Sequence, residues 1–436
     1  MKRILCVILL VLLSALLLCG CTPFDSEPDS LLAAPRLTGS MHPVQEALEA
    51  KIGNKYHLKF PSSGETKSAI TLVDLNGDLR NEGVAFYSTS DENTVTMNIA
   101  VIDLIDGVWQ VSSQESIIAV GVERVYFTDM DGDGNKEIIV GWNIYGTASR
   151  TASVYEYTGN TLIALMEEPF TALTLCDLDG NLSQDLLLLQ LDNTSSRAFA
   201  RYFSVNSQGV AELGSCELDG NITSYSEPVL STLPTGEFCV YVDCIKGAGM
   251  ITEVIFFKDG KLLSPLYDSA LMENIVTYRP AIVPCRDYDG DSVMEIPVMH
   301  QLPTQTGGSA AYLTVWNSFD GISLTPRFYT LMNYSDGYSV KLTEQLAFST
   351  TTIRNLENRE RIIYEYDYEN GVLKNELFRI RVVSKTAYDS GMYAEGYIHL
   401  NNSDSLVWLC SVNDRAQQYG ITAENIGEIF ELIVEE

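Results

Sequence analysis

The sequence has 436 residues, 46% of them hydrophobic, with 58 acidic residues against 28 basic ones and a formal charge of −30. That length allows a large core and more than one domain. The acidity excludes nucleic acid as an expected partner, because binding it needs a basic footprint.

The chain opens like an export signal. Lys2 and Arg3 are followed by an apolar run over residues 4–18. At about fifteen residues the run is shorter than the roughly 20 a membrane span needs. Leu18-Cys19-Gly20-Cys21 then resembles the bacterial lipoprotein box. The resemblance implies cleavage after Gly20, a lipid on Cys21, and a protein held at the extracytoplasmic face of the cell membrane. An ordinary signal peptide with a chance Cys pair is the other reading. Losing Lys2 and Arg3 leaves 26 basic residues against 58 acidic ones, a mature charge near −32. Residues 21–42, with Pro23, Pro28 and Pro35, read as a tether. Residues 43–52 read as a short helix, with Pro43 at its start, Gly53 past its end, and Val44, Ala47 and Leu48 on one face.

A repeated acidic loop then organises residues 43–333. Its best copy is Asp129-Met130-Asp131-Gly132-Asp133-Gly134-Asn135-Lys136-Glu137. Calcium takes six to eight oxygens at about 2.3–2.6 Å. Asp129, Asp131 and Asp133 occupy positions 1, 3 and 5. Asn135 at position 7 would offer its backbone carbonyl, and Glu137 at position 9 closes the set. The second copy uses Asp74, Asn76, Asp78, Arg80 and Glu82. The third uses Asp177, Asp179, Asn181, Ser183 and Asp185, and the fourth Asp287, Asp289, Asp291, Val293 and Glu295. Each has Gly at position 4, where a tight turn favours it. The closing acid comes too early for an EF-hand, and the flanks read as strands rather than helices. One copy alone is equally well an acidic β-turn, since Asp, Asn and Gly dominate turns. Four copies on one pattern favour metal. Asn76 and Asn181 each remove a charge, so those two loops are the weaker sites.

The first residues of the loops lie 55, 48 and 110 positions apart. The last spacing is two periods, which places a missing unit near residue 232. Residues 229–242 there carry two strand-like runs and a short turn without acidic ligands, the pattern of a copy that has lost its metal loop. Each unit holds about four strand candidates, in the first unit 68–73, 83–87, 95–102 and 108–112. Turn pairs such as Asp106-Gly107 and Asp259-Gly260 separate the last two strands of a unit. Four short antiparallel strands at a period near 50 fit a β-propeller blade.

The D-x-D-G-D loop between the first two strands resembles the FG-GAP and VCBS-type repeats of integrin-like β-propellers, over roughly residues 68–333. The resemblance implies calcium in the loops and a scaffold for adhesion or ligand binding. The family propeller commonly has seven blades, whereas five units are counted here, and its phenylalanine-glycine and glycine-alanine-proline signatures are poorly kept.

Residues 334–436 lack the loop. Strands are expected near 338–342, 347–353, 361–368, 373–384, 397–400 and 406–412, with a final helix after Thr422 burying Ile426, Ile429, Phe430 and Ile433. This reads as a small α+β domain, or alternatively as further blades. The overall class is therefore mainly β: about five four-stranded blades with calcium loops, then the C-terminal domain.

Catalytic signatures are missing from the sequence. No HExxH, GxSxG or SxxK appears. Gly307-Gly308-Ser309 lacks a following Lys and reads as a loop. The six cysteines after Cys21 form no CxxC, which leaves zinc unsupported. Cys176 and Cys285 read as small buried positions. Trp109, Trp142, Trp316 and Trp408 could line a sugar-binding face, but core packing is the commoner role at strand positions. The expected function is a calcium-stabilised binding, adhesion or scaffold module for a protein or glycan ligand, without enzymatic activity. The alternatives are a surface polysaccharide hydrolase or lyase, and a structural tether for the C-terminal module.

Overall fold

Apolar residues alternate with polar ones between turn signals, and this pattern places most of the regular structure in strands. The computed structural model describes residues 39–90, 95–144, 150–303, 310–393 and 395–433. The export signal, Cys21, most of the tether and Gly307-Gly308-Ser309 lie outside the described residues. No helix of the described residues is long and apolar enough to cross a membrane. Among the described residues six antiparallel sheets follow one another in sequence, and the chain divides after Pro169 into two compact units.

The first unit holds two sheets. In the first, Glu82–Ser90 pairs with His57–Leu58 and Ile70–Val73 on one side and with Val95–Ile105 on the other, and Val108–Ile117 closes it. The turn at Asp106-Gly107 has both residues at positive φ, as a two-residue hairpin with the right twist requires. The second sheet runs Gly121–Thr128, Glu137–Asn143, Arg150–Tyr157 and Leu162–Phe170. Facing side chains of the two sheets form one core, in which Phe86 and Trp142 meet edge to face at 5.9 Å. The helix His42–Ile52 packs Val44 and Leu48 onto the other side of the first sheet. Gly83 permits that approach, because a Cβ there would lie 2.4 Å from Val44 Cγ1.

The second unit opens with the sheet Ala172–Cys176, Asp185–Asp192, Arg197–Asn206 and Gly209–Leu218. The unit without an acidic loop forms the next sheet. Val229–Thr232 pairs with Phe238–Lys246 across a short turn, and Gly249–Lys258 and Lys261–Leu263 follow. The fifth sheet runs Ile296–Gln301, Tyr312–Phe319, Leu324–Asn333 and Tyr338–Leu342. The sixth contains Thr350–Asn355, Glu360–Asp367, Val372–Ser384, Leu406–Val412 and Ile398–Asn402.

Two expectations for the C-terminal region change. Tyr338–Leu342 pairs with Leu324–Asn333, so residue 334 falls in a turn within one sheet rather than at its border. The final helix is not an α-helix. Ile426–Ile429 is a 3-10 turn, and Phe430–Leu432 is a strand paired with Tyr338–Leu342. Ile426 and Phe430 are buried as the periodicity implied. Gly427 weakens a helix there, and the open edge of Tyr338–Leu342 supplies hydrogen bonds that local helix propensity does not match. The regular α-helices of this region are the short turns Glu344–Ala347 and Lys385–Asp389.

Buried polar groups tie the fourth sheet to residues 264–287. Glu253 is fully buried and accepts hydrogen bonds from Asp219 N at 3.1 Å and Ser264 Oγ at 2.9 Å. Burial pushes its pKa up to about 7. The folded protein thus holds this proton more tightly than the unfolded chain, whose Glu titrates near ~4.3. The resulting stability is complete below that lower value and is lost as pH rises through about 7. Glu253→Gln should therefore melt higher than the parent at pH ~8 and equally at pH ~4. Identical melting at both pH values would refute this role.

Candidate metal centres

Each acidic loop is a hairpin connection closed in the same register. The residue before the loop pairs with the acid at position 9: Val73 with Glu82, Thr128 with Glu137, Cys176 with Asp185 and Arg286 with Glu295. The closing acid thus opens the strand that follows: Glu82, Glu137 and Asp185 are the first residues of inner strands, and Glu295 directly precedes the edge strand Ile296–Gln301. All four are buried.

The remaining positions hold the loop by their own side chains. Position 1 accepts from the backbone N–H of position 6 in every copy: Leu79 onto Asp74, Gly134 onto Asp129, Leu182 onto Asp177 and Ser292 onto Asp287, at 2.9–3.0 Å. Position 5 accepts from position 7, with Arg80, Asn135, Ser183 and Val293 donating at 2.7–2.8 Å. Asn76, at position 3, accepts from Asp78 N at position 5, and Asn181, at position 5, accepts from Ser183 N, each as Asp would. Glycine at position 4 has positive φ throughout. Position 6 is also left-handed, although Leu79, Leu182 and Ser292 carry side chains that disfavour it. The four loops are one conformation.

The sequence reading overlooked position 2. Leu75, Met130 and Leu178 are buried apolar anchors, and Tyr288 stacks between Trp316 at 5.0 Å and Phe328 at 5.3 Å. The signal was an apolar or aromatic residue between the two ligand-type residues at positions 1 and 3 in every copy. The backbone N–H of position 2 also meets the closing acid. Leu75, Met130 and Tyr288 donate directly to Glu82, Glu137 and Glu295 at 2.7–2.8 Å. In the third loop the acid is Asp185, one methylene shorter. There Tyr202 fills the gap, its hydroxyl accepting from Leu178 N at 2.8 Å and donating to Asp185 at 2.6 Å.

Within unit one the first two loops touch. Lys136 N donates to Leu75 O at 2.8 Å, and a Cβ on Gly77 would lie 2.9 Å from Gly134 O.

The gathered oxygens are those of the two most acidic copies. Carboxylate oxygens of Asp129, Asp131 and Glu137 lie within 4.8 Å of one another, as do those of Asp287, Asp289 and Asp291. In the remaining two loops no such group of three forms among the described residues. Asp133 turns its second oxygen to Asn135 Nδ2 at 2.7 Å. Burial, reinforced by neighbouring loop carboxylates, pushes Glu82 and Glu137 up to about 7 and Asp185 to about 6. Glu295 moves in the same direction for the same reasons. Asp74 Oδ1, Asp185 Oδ1 and Glu295 Oε1 are sealed from solvent without a hydrogen-bond partner. An all-oxygen donor set with such orphaned oxygens fits a hard cation, which would satisfy them and neutralise the cluster.

The six described cysteines are free thiols, and Cys176 and Cys285 are buried. Trp142, Trp316 and Trp408 are core residues.

No known family model matches the chain, and no curated protein matches it by sequence. Among solved structures, an exotype rhamnogalacturonan lyase is 13% identical over 66% of this chain and 74% of its own, with a TM-score of 0.31. A Bacillus licheniformis rhamnogalacturonan lyase is 12% identical over 78% and 85%, also at 0.31. The β-propeller domain of the Trilobed protease from Pyrococcus furiosus is 12% identical over 72% and 89%, at 0.25. Scores this low assign neither family nor activity, so the fold rests on the strand pairing of this chain itself.

Proposed function

We propose that this protein is a lipid-anchored extracytoplasmic binding or scaffold module, built from blade-like sheets of the integrin-like propeller type and held by calcium at its acidic loops. The carrying observation is the closing acid at position 9. At the same point of four repeats it is buried, and in Asp185 and Glu295 one oxygen has no partner. Burying a carboxylate in this way is costly unless a cation compensates it.

In this reading calcium supplies fixed positive charge and nothing else. The chain's own residues do the remaining work. Position 2 anchors the loop in the core, position 1 fixes the turn, and position 9 joins the loop to the strand that follows it. The Asp129 set and the Asp287 set fill first, because their oxygens are already gathered and neither has lost an acid to Asn. Affinities near those of extracellular modules, ~10⁻⁴–10⁻³ M, suffice where calcium is millimolar.

Calorimetric titration of the EDTA-stripped chain tests the reading. Saturable calcium binding, with magnesium much weaker, is the expected outcome; the absence of binding at millimolar calcium refutes it. The anchor has its own test. Labelled palmitate should enter the wild-type chain and not Cys21→Ser. Equal labelling of both, or of neither, removes the lipoprotein part while leaving the metal part standing.

A further inference from the structure

The second unit carries a cleft of about 270 Å³ that is independent of the acidic loops. Its walls include Met299, Ala311, Tyr312 and Met332. Two polar residues that line it stand out, and both hold a buried atom without a partner.

The first is Arg361, on the strand Glu360–Asp367. One guanidinium nitrogen donates to Met332 O at 3.0 Å, while its Nε is sealed from solvent and bonds to nothing. Among the described residues no carboxylate forms a salt bridge with it. Asp336, whose field reaches Arg361, is already paired with Arg359 at 2.6 Å. Burial lowers the pKa of Arg361, the direction expected of an uncompensated cation. The second is Thr314, on the facing sheet, fully buried with its hydroxyl unpartnered. A further cation, Arg354, approaches the rim by donating to Ser335 Oγ at 2.9 Å. A half-buried positive charge with a sealed, unpartnered Nε thus has no salt-bridged anion, beside an orphaned hydroxyl, in a cleft with apolar stretches of wall. In a chain with 58 acids this is not a shortage of carboxylates.

We propose that this cleft binds a small organic carboxylate with an apolar body. The carboxylate would pair with the Arg361 guanidinium, whose planar fork matches it. Thr314 would donate to a carboxylate oxygen, and the methionine and tyrosine walls would cover the apolar part. Apolar walls with a few placed polar groups are the usual make-up of a small-ligand site. An inorganic anion would satisfy Arg361 and leave those walls unused.

The test uses the full chain with benzoate as probe, its neutral isostere benzamide, and inorganic phosphate. Calorimetry and melting should show benzoate binding at millimolar concentration or tighter, with benzamide and phosphate at least about tenfold weaker. Arg361→Met should abolish the preference for benzoate without lowering the melting temperature of the ligand-free protein. An arginine serving structure alone would give the reverse, a lower melting temperature and no change in preference. Thr314→Val keeps shape and charge and should weaken benzoate several-fold, which maintains the test if the Arg361 variant does not fold. Equal binding of benzoate and benzamide, phosphate as effective as benzoate, no benzoate binding, or undiminished benzoate binding by Arg361→Met would each overturn the proposal.

Discussion

Arg279→Ala is expected to destabilise the protein by about 3–5 kcal/mol, the usual cost of removing one partner from a buried ion pair. Arg279 is fully buried and pairs with Asp243 at 2.7 Å. It also donates to Val283 O and Thr277 O. Its backbone exchanges hydrogen bonds with Met250 in both directions. One residue thus ties residues 277–285 to the two central strands of the fourth sheet, by its side chain to Asp243 and by its backbone to Met250. Gly249 lets the backbones meet, since a Cβ there would lie 2.2 Å from Arg279 O. Alanine would leave Asp243 buried beside only Thr252 Oγ1 and Cys285 N. Urea denaturation measures the effect. A loss below about 1 kcal/mol would place Arg279 among ordinary substitutions. The double variant Arg279→Met with Asp243→Leu should recover part of the loss, because no unpaired charge remains.

The second large effect is at Tyr202. Tyr202→Phe should cost about 1–3 kcal/mol, because Leu178 N and Asp185 both lose their partner inside the core. Adding Asp185→Glu should restore most of it. The longer acid would reach Leu178 N directly, as Glu82, Glu137 and Glu295 reach their position-2 partners. Failure of this rescue, measured by denaturation of the three variants, would mean that Tyr202 acts through packing rather than as a bridge.

What the sequence disclosed follows from how local each feature is. The four loops were legible because Asp and Gly at fixed spacing determine a turn by themselves, and their common backbone follows from contacts within nine residues. The hairpin of the loop-less unit at Val229–Thr232 and Phe238–Lys246 was legible from the repeat period alone. The relay through Tyr202 was not, since it depends on a residue 17 positions from Asp185. The strand Phe430–Leu432 was also hidden, because its partner Tyr338–Leu342 lies far back in the chain, and Ile426 and Phe430 fit a helical face as well as the turn and strand they form. The half-buried cation Arg361 looked like an ordinary polar residue in a strand. Its lack of an anion appears only when Met332, Thr314 and Arg361 are brought to one cleft.

The central claim, that the loops hold the sheets by binding calcium, is tested most directly by melting the full chain carrying Cys21→Ser, first in EDTA and then in rising calcium. Binding to the folded state alone stabilises by mass action, about 1.4 kcal/mol per site at a tenfold excess over Kd. The account predicts a rise of several degrees at millimolar calcium. That rise should shrink with Asp129→Ala plus Asp131→Ala, and shrink further when Asp287 and Asp289 are replaced as well. A wild-type melting temperature that stays the same from EDTA through millimolar calcium would contradict the account and leave the loops as acidic turns.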